Sequence, residues 1–269
     1  LKIKPFWYWL FILPLFNTCS LERRIEVKLP PYKRELVAEC YLDRQDGLKV
    51  ILTESDSYFD TLRFPAVNYA KLNLSVNGVP YPVPFNPFLD LENRKFYNYQ
   101  LPAGDWLDTT ARFELEISDS TGRKLSGTTA FLPAPDLDSL EVRYTVNEDT
   151  SIAFVVWIND FAGQSNFYRI IMNEDSLNGP PVLEFSFTDN GLDGQRFPVG
   201  TTSRFRPGKR MFIRLFHIEQ QYYLYLRAME AASRANGNPF AQPATLTSPM
   251  KGGFGLFSTL NYIQLVRDL

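Results

Sequence analysis

Residues 71–79 read Lys-Leu-Asn-Leu-Ser-Val-Asn-Gly-Val, and this stretch decides the fold class. Leu72, Leu74 and Val76 alternate with polar neighbours, the period of a strand with one buried face. Asn77-Gly78 supplies residues that readily take the positive φ angles of a two-residue hairpin turn. The same signature repeats outward. Residues 112–118 (RFELEIS) alternate and reach a turn at Ser120-Thr121-Gly122, and Lys124 to Leu132 returns as a strand. Residues 35–42 and 48–54 form a further pair about Asp46-Gly47. Residues 79–103 hold Pro80, Pro82, Pro84, Pro87 and Pro102 and read as loop. Short strands with a turn signal about every ten residues predict an immunoglobulin-like β-sandwich over residues 35–134.

Pro133-Ala134-Pro135 marks a domain boundary, and residues 135–269 form a second β-rich domain. Strands are predicted at 140–146, 151–159, 167–173, 182–188 and 209–216, with turns at 160–163 (DFAG) and 189–194 (DNGLDG). The period then changes. Residues 219–235 (EQQYYLYLRAMEAASRA) place Tyr222, Leu226, Met229 and Ala232 or Ser233 three and four apart, which predicts a helix with one apolar face. Asn236-Gly237-Asn238-Pro239 stops it. A last strand pair, around 244–248 and 254–266, is split by Gly252-Gly253. The fold is therefore mainly β, with two β-sandwich-like domains and one helix near the C-terminus. A content of 22 Phe, 14 Tyr and 4 Trp agrees, because aromatic side chains suit a half-buried pleated surface.

The N-terminal residues carry an address. Lys2 and Lys4 precede an uncharged run from Pro5 to Phe16, followed by Asn17, Thr18 and Cys19. The run is shorter than the roughly 20 residues that a membrane-spanning helix needs and matches a signal-peptide core. Residues 1–18 read as a cleaved signal and Cys19 as the lipid-attachment residue of a bacterial lipoprotein. Phe16 and Asn17 depart from the usual Leu and small residue before such a cysteine. Residues 19–34, charged and containing Pro30-Pro31, read as a tether. With Cys19 lipidated, Cys40 has no disulfide partner and is expected to be a buried small hydrophobe.

A formal net charge of −2 gives no electrostatic reason to bind nucleic acid. The one histidine, His217, has no second histidine and no usable cysteine to join it in metal or nucleophilic chemistry. Asp189, Asn190 and Asp193 in DNGLDG could offer oxygen ligands to calcium, but glycines and Asx side chains in this spacing favour a plain turn. Glu114/Glu116 and Glu39/Glu54 are carboxylate pairs of the kind glycosidases use, yet charges two apart on a strand usually form its solvated side. Tyr97, Tyr99 and Trp106 sit in the proline-rich stretch and suit either a binding surface or a core. No catalytic, cofactor-binding or metal-binding residue is assigned, and the chain is not expected to be an enzyme.

From residue 138 to 260 the sequence shows a specific resemblance. FYRIIM, FSFTDNGLDGQRF, RMFIRLFHIEQQYYLYLRAMEAA and GNPFAQPATLTSPMKGGFGLFS follow one another. This order resembles domain-of-unknown-function family 4249, Bacteroidetes-type outer-membrane lipoproteins. Asn238, Pro239, Phe240, Pro243, Gly252, Gly253, Gly255 and Phe257 occupy its closing motif. Pro249-Met250-Lys251 stands where members carry Asn-Ile, and Asp189-Asn190 stands where they often carry adjacent acids. The resemblance implies an outer-membrane location, often beside TonB-dependent transporters, and carries no activity with it. The expected role is non-enzymatic: a lipid-anchored binding or accessory protein, with a TonB-dependent transporter as partner. A glycan-acting hydrolase and a structural or adhesive surface protein are the alternatives.

Overall fold

The computed structural model describes residues 32–56, 66–145, 151–201, 205–235 and 248–269. Its spine is an eight-stranded sheet. In spatial order the strands are β12 (Leu183–Thr188), β11 (Phe167–Glu174), β14 (Arg210–Ile218), β15 (Phe254–Asp268), β1 (Leu36–Asp43), β2 (Gly47–Glu54), β6 (Lys95–Leu101) and β5 (Phe85–Asp90). A four-stranded sheet runs β4 (Val79–Val83), β3 (Lys71–Val76), β7 (Arg112–Ser118), β8 (Lys124–Ala130). A three-stranded sheet runs β13 (Arg196–Gly200), β10 (Ser151–Asn159), β9 (Asp136–Thr145). One helix, α1 (Gln220–Ala235), is found among the described residues, and none there is long and apolar enough to cross a membrane.

Strand alternation sorts side chains onto the two faces of the spine. Leu36, Ala38, Cys40 and Leu42 of β1 join Leu48, Val50 and Leu52 of β2 and Phe257 of β15 beneath the four-stranded sheet, against Leu72, Leu74, Phe113, Leu115 and Ile117. A second core lies over β11 and β14, where Tyr168, Ile170, Met172, Ile213 and Leu215 meet Ile152, Phe154, Val156 and Ile158 of β10. Leu215 pairs with Ile263 across the β14–β15 ladder, and Ile263 shares its alternation on β15 with Phe257. Both small sheets therefore cover the same face of the spine. The opposite face carries the third cluster, in which Tyr41, Ile171, Phe216, Ile218 and Leu256 pack against Tyr222 and Tyr225 of α1.

The Asn77-Gly78 hairpin forms as the sequence predicts, with φ of 51° and 84° joining β3 to β4. Residues 79–103 depart from the loop expectation and contain β4, β5 and β6. The prolines are accommodated because β4 and β5 are edge strands, where a missing N–H costs no ladder bond. The 134/135 boundary separates the two small sheets, but the spine takes β1, β2, β5 and β6 from one side of it and β11, β12, β14 and β15 from the other. Residues 34–269 form one compact unit. The join is the parallel ladder between β1 and β15, from Val37↔Phe254 to Asp43↔Leu260. The helix lies where its period places it, but its buried residues are Tyr222 and Tyr225, while Met229 is exposed.

Where the chain enters β1, the end of β2 is tied to the β7–β8 turn. Arg123 donates to Glu54 and to Asp119, and the Tyr69 hydroxyl donates to Glu54 at 3.1 Å. The Arg123 hydrogen bond holds the Glu54 carboxyl below the usual carboxylate range, against the opposing effect of burial. A depressed folded-state pKa contributes stability above the unfolded-state value and loses it as pH falls through the folded one. Glu54→Gln should therefore lower the urea midpoint near neutral pH and flatten its decline in acid. Parallel decline of wild type and variant between about pH 5.5 and 3.5 would show that Glu54 carries no such linkage.

Candidate ligand-binding groove

The helix side of the spine is only partly covered, and the uncovered part is a groove of about 520 Å³. That volume lies within the range of small-molecule sites. Its floor is the sheet itself, with Tyr41 of β1, Ile171 of β11, Phe216 of β14 and Leu260 and Tyr262 of β15. One wall is α1, through Tyr222, Tyr225, Leu226 and Met229. The other is the β5–β6 hairpin, through Phe88, Leu89, Asp90, Glu92 and Tyr97.

The hairpin leaves the sheet for a physical reason. Strand β6 pairs with β2 only from Leu101 to Tyr99. Beyond that the Asn98 side chain replaces the ladder: its Oδ1 accepts from the Leu52 N–H at 2.8 Å and its Nδ2 donates to the Leu52 carbonyl at 2.8 Å and the Val67 carbonyl at 2.9 Å. A buried amide that satisfies three backbone groups removes the penalty of ending the ladder there. Tyr99 then packs into the first core while Tyr97 faces the groove, stacked on Phe88 with centroids 5.3 Å apart.

Most of the charges that line the groove are paired within it. Lys95 donates to Glu39 and to the Tyr41 hydroxyl, and sits 4.5 Å from the Tyr41 ring centroid. Lys49 donates to Asp46 at 2.7 Å and Asp90 at 3.1 Å. Burial works against the Lys49 charge, but these two carboxylates keep its pKa above the ordinary value. Arg169 forks onto Glu184 at 2.5 and 3.2 Å and donates from Nη1 to the Tyr222 hydroxyl at 2.5 Å. Arg214 reaches Glu92 at 2.6 Å and the Asn173 Oδ1 at 3.3 Å. Burial pushes the Tyr97 hydroxyl well above its usual range, so it stays protonated. The arrangement offers rings, hydroxyls and charged donors to a ligand, while Glu39, Asp90, Glu92 and Glu184 are each engaged by a cation.

The residues singled out from the sequence fall in several places. Cys19 lies outside the described residues, as do Asn238, Pro239, Phe240 and Pro243. Cys40 is fully buried in the first core, where burial pushes its thiol pKa up. Of the aromatic trio only Tyr97 reaches the groove; Trp106 packs against the first core and donates to the Pro102 carbonyl at 2.8 Å. Glu39 lines the groove, whereas Glu54 is held by Arg123, so this pair shares no site. Glu114 and Glu116 are exposed on β7. His217 is buried, its Nδ1 2.9 Å from the Pro133 carbonyl and its Nε2 3.1 Å from Asn166 Oδ1, so both ring nitrogens are occupied.

The DNGLDG loop gains a third acid from the DFAG turn. Oxygens of Asp160, Asp189 and Asp193 all lie within 4.8 Å of one another. Each also fastens a turn. Asp189 accepts from the Asn166 N–H, Asp193 from the Gly163 N–H, and Asp160 from Tyr168 and the Gly194 N–H.

Arg169, Arg214, Phe216 and Tyr262 were not assigned a role in the sequence. Their only signal was position: each takes its turn in an alternating strand where the groove face requires it.

The helix that walls the groove and the Gly252-Gly253-x-Gly255-x-Phe257 run that leads β15 into the sheet belong to the sequence pattern described above. A family model described as a domain of unknown function, DUF4249, matches residues 22–264. The chain belongs to this family. The match spans both sides of the 134/135 boundary, as does the eight-stranded sheet. No curated protein matches this DUF4249 chain.

Proposed function

We propose that the protein is a non-enzymatic binding lipoprotein of the bacterial outer membrane. It is anchored through a lipid on Cys19, presents the groove to small ligands, and works beside a TonB-dependent transporter. The observation that carries the reading is the groove. It combines about 520 Å³ of ring-lined space with charges most of which are paired within it, an arrangement suited to holding a ligand. A general acid or base has to be free to exchange a proton with its substrate; Glu39, Asp46, Asp90, Glu92 and Glu184 of the groove are tied to cations, and Asp43 accepts from the Gln45 and Asp46 N–H groups. The lipobox-like end of the leader, the family resemblance and the short apolar run support the anchor.

Replacing Cys19 with Ser is expected to abolish incorporation of a labelled fatty acid and to move the protein out of the membrane fraction. Membrane retention without label in both wild type and variant would sink the anchor. Cross-linking in intact cells should capture an outer-membrane β-barrel protein; recovery of the protein with no such neighbour counts against the transporter partnership.

A further inference from the structure

Resting on the reading of the groove as a ligand site, we propose that its ligand is an organic cation, an ammonium group on an apolar body, and that the ammonium seats on the Asp43 carboxylate. Among the described residues that line the groove, Asp43 is the acid with no cation within ion-pair distance. Lys95 holds Glu39, Lys49 holds Asp46 and Asp90, Arg214 holds Glu92 and Arg169 holds Glu184. Asp43 is only 8% exposed. Its Oδ1 accepts from the Gln45 and Asp46 N–H groups at 2.7 and 3.2 Å, which fixes the carboxylate at the β1–β2 turn. Its Oδ2 takes no hydrogen bond from the described residues and is not sealed from solvent, so this oxygen is open to an incoming donor.

Asp43 belongs to the groove face. Along β1, Glu39, Tyr41 and Asp43 alternate onto that face, and Asp43 pairs with Leu260 of the groove floor. Asp43, Leu260 and Tyr262 also border a smaller cavity of about 280 Å³, so the carboxylate stands where the two spaces meet. Arg44, beside that cavity, is committed elsewhere, its guanidinium 5.1 Å from the Phe131 ring centroid. Arg94, a lining cation without an acid partner, lies toward the other end of β1, by Val37 and Glu39. The Asp43 end of the groove therefore carries more acid than base. Burial pushes the Tyr262 hydroxyl up, and the charges of Asp43, Glu92 and Asp46 add to that push with Arg214 opposing. A carboxylate so far withdrawn from water gains from a partner, and an ammonium there makes a charge-assisted hydrogen bond within a field of its own counter-charge. The apolar body has its place over Leu260, Tyr262 and Phe216, where the two rings lie with centroids 4.9 Å apart and offer their faces to a cation's neighbouring methylenes.

The test uses the full chain in nanodiscs of zwitterionic lipid, with empty nanodiscs subtracted, titrated calorimetrically near neutral pH. The probes are 4-phenylbutylamine, 4-phenylbutan-1-ol and 4-phenylbutyrate, which share one apolar body and differ in charge. The amine is expected to bind at least about tenfold more tightly than the alcohol, as one charged hydrogen-bonded pair implies, and the acid is expected to bind most weakly. Asp43→Asn keeps the Oδ1 acceptor that the turn needs and removes the charge. It should weaken amine binding by at least about tenfold and leave the alcohol unchanged, whereas a merely structural role would move both together. Should Asp43→Asn fail to fold, the ranking of the three compounds on the wild-type chain decides the matter by itself. Alcohol or acid bound as tightly as the amine, an amine affinity unmoved by Asp43→Asn, or amine and alcohol weakened alike overturns the proposal and leaves the groove as a ligand site of other chemistry. Failure of all three compounds to bind overturns the proposal and the groove reading together.

Discussion

Gly255→Val is expected to abolish folded protein, with the chain recovered only in the insoluble fraction. Gly255 has φ of 139°, a region that side-chain-bearing residues scarcely enter, and a Cβ there would lie 1.8 Å from the Ala38 carbonyl oxygen. That oxygen belongs to β1, paired with β15 at Ala38↔Gly255. Relief would require the parallel ladder to open. The ladder joins the two halves of the spine, so no local adjustment suffices, and the loss exceeds a typical stability of about 5–15 kcal/mol. Even alanine meets the same oxygen, and Gly255→Ala should fail as well. Gly122 is the control. It too has positive φ, 86°, but a Cβ there meets nothing within 4 Å. Gly122→Ala should cost about 1 kcal/mol, seen as a small drop in thermal midpoint. Soluble, cooperatively unfolding Gly255→Val would refute the role assigned to the β1–β15 junction.

The second large effect is expected at Tyr222. Its ring is 1% exposed, lies 6.0 Å from that of Tyr41, and is the main plug between α1 and the sheet. Tyr222→Ala should cost about 3–5 kcal/mol, the range for deleting a large buried ring, and should remove ligand binding with the groove wall. Tyr222→Phe keeps the ring and removes only the acceptor for Arg169 Nη1, so about 1.5–3 kcal/mol is expected. The N-terminal end of the helix has separate moorings. Glu219 accepts from Thr129, Ser258 and Gln221, and Gln221 also donates to the Phe257 carbonyl at 3.2 Å. A partly detached helix in Tyr222→Ala is therefore the expected state, with hydrogen-exchange protection lost first toward Ala235. Equal stability of the alanine and phenylalanine variants would show that the ring does not hold the helix.

The elements themselves were largely legible. Strands β1, β2, β3, β7, β10, β11 and β14 follow from alternation, and α1 follows from the change of period at 219. Local chemistry suffices there because one buried face imposes a period of 2 or 3.6 on the residues. Where an element sits at a sheet edge the signal fails: Pro80, Pro82 and Pro87 point to loop until the edge position of β4 and β5 is known. The helix period is legible in the sequence, but which residues it buries depends on a partner surface. Tyr225 faces the sheet and Met229 the groove rim, a choice set by Tyr41, Phe216 and Leu256.

The candidate site was less legible still. Glu39 and Tyr97 stand out in the sequence, yet as parts of a carboxylate pair and an aromatic trio whose other members lie elsewhere. The groove gathers side chains from β1, β2, β5, β6, β11, β12, β14, β15 and α1, and its ion pairs span up to 122 residues of chain, as between Glu92 and Arg214. The sequence by itself determined that the chain is β-rich, where its hairpin at Asn77-Gly78 turns, where its one described helix starts and stops, and which family it resembles. These are consequences of neighbours along the chain. Only the tertiary structure decided that β15 returns to lie parallel to β1, that both small sheets cover one face, and that a charged, ring-lined groove remains on the other. Those outcomes depend on which strands become neighbours in space, and alternation, which is the same for every strand, carries no record of the partner.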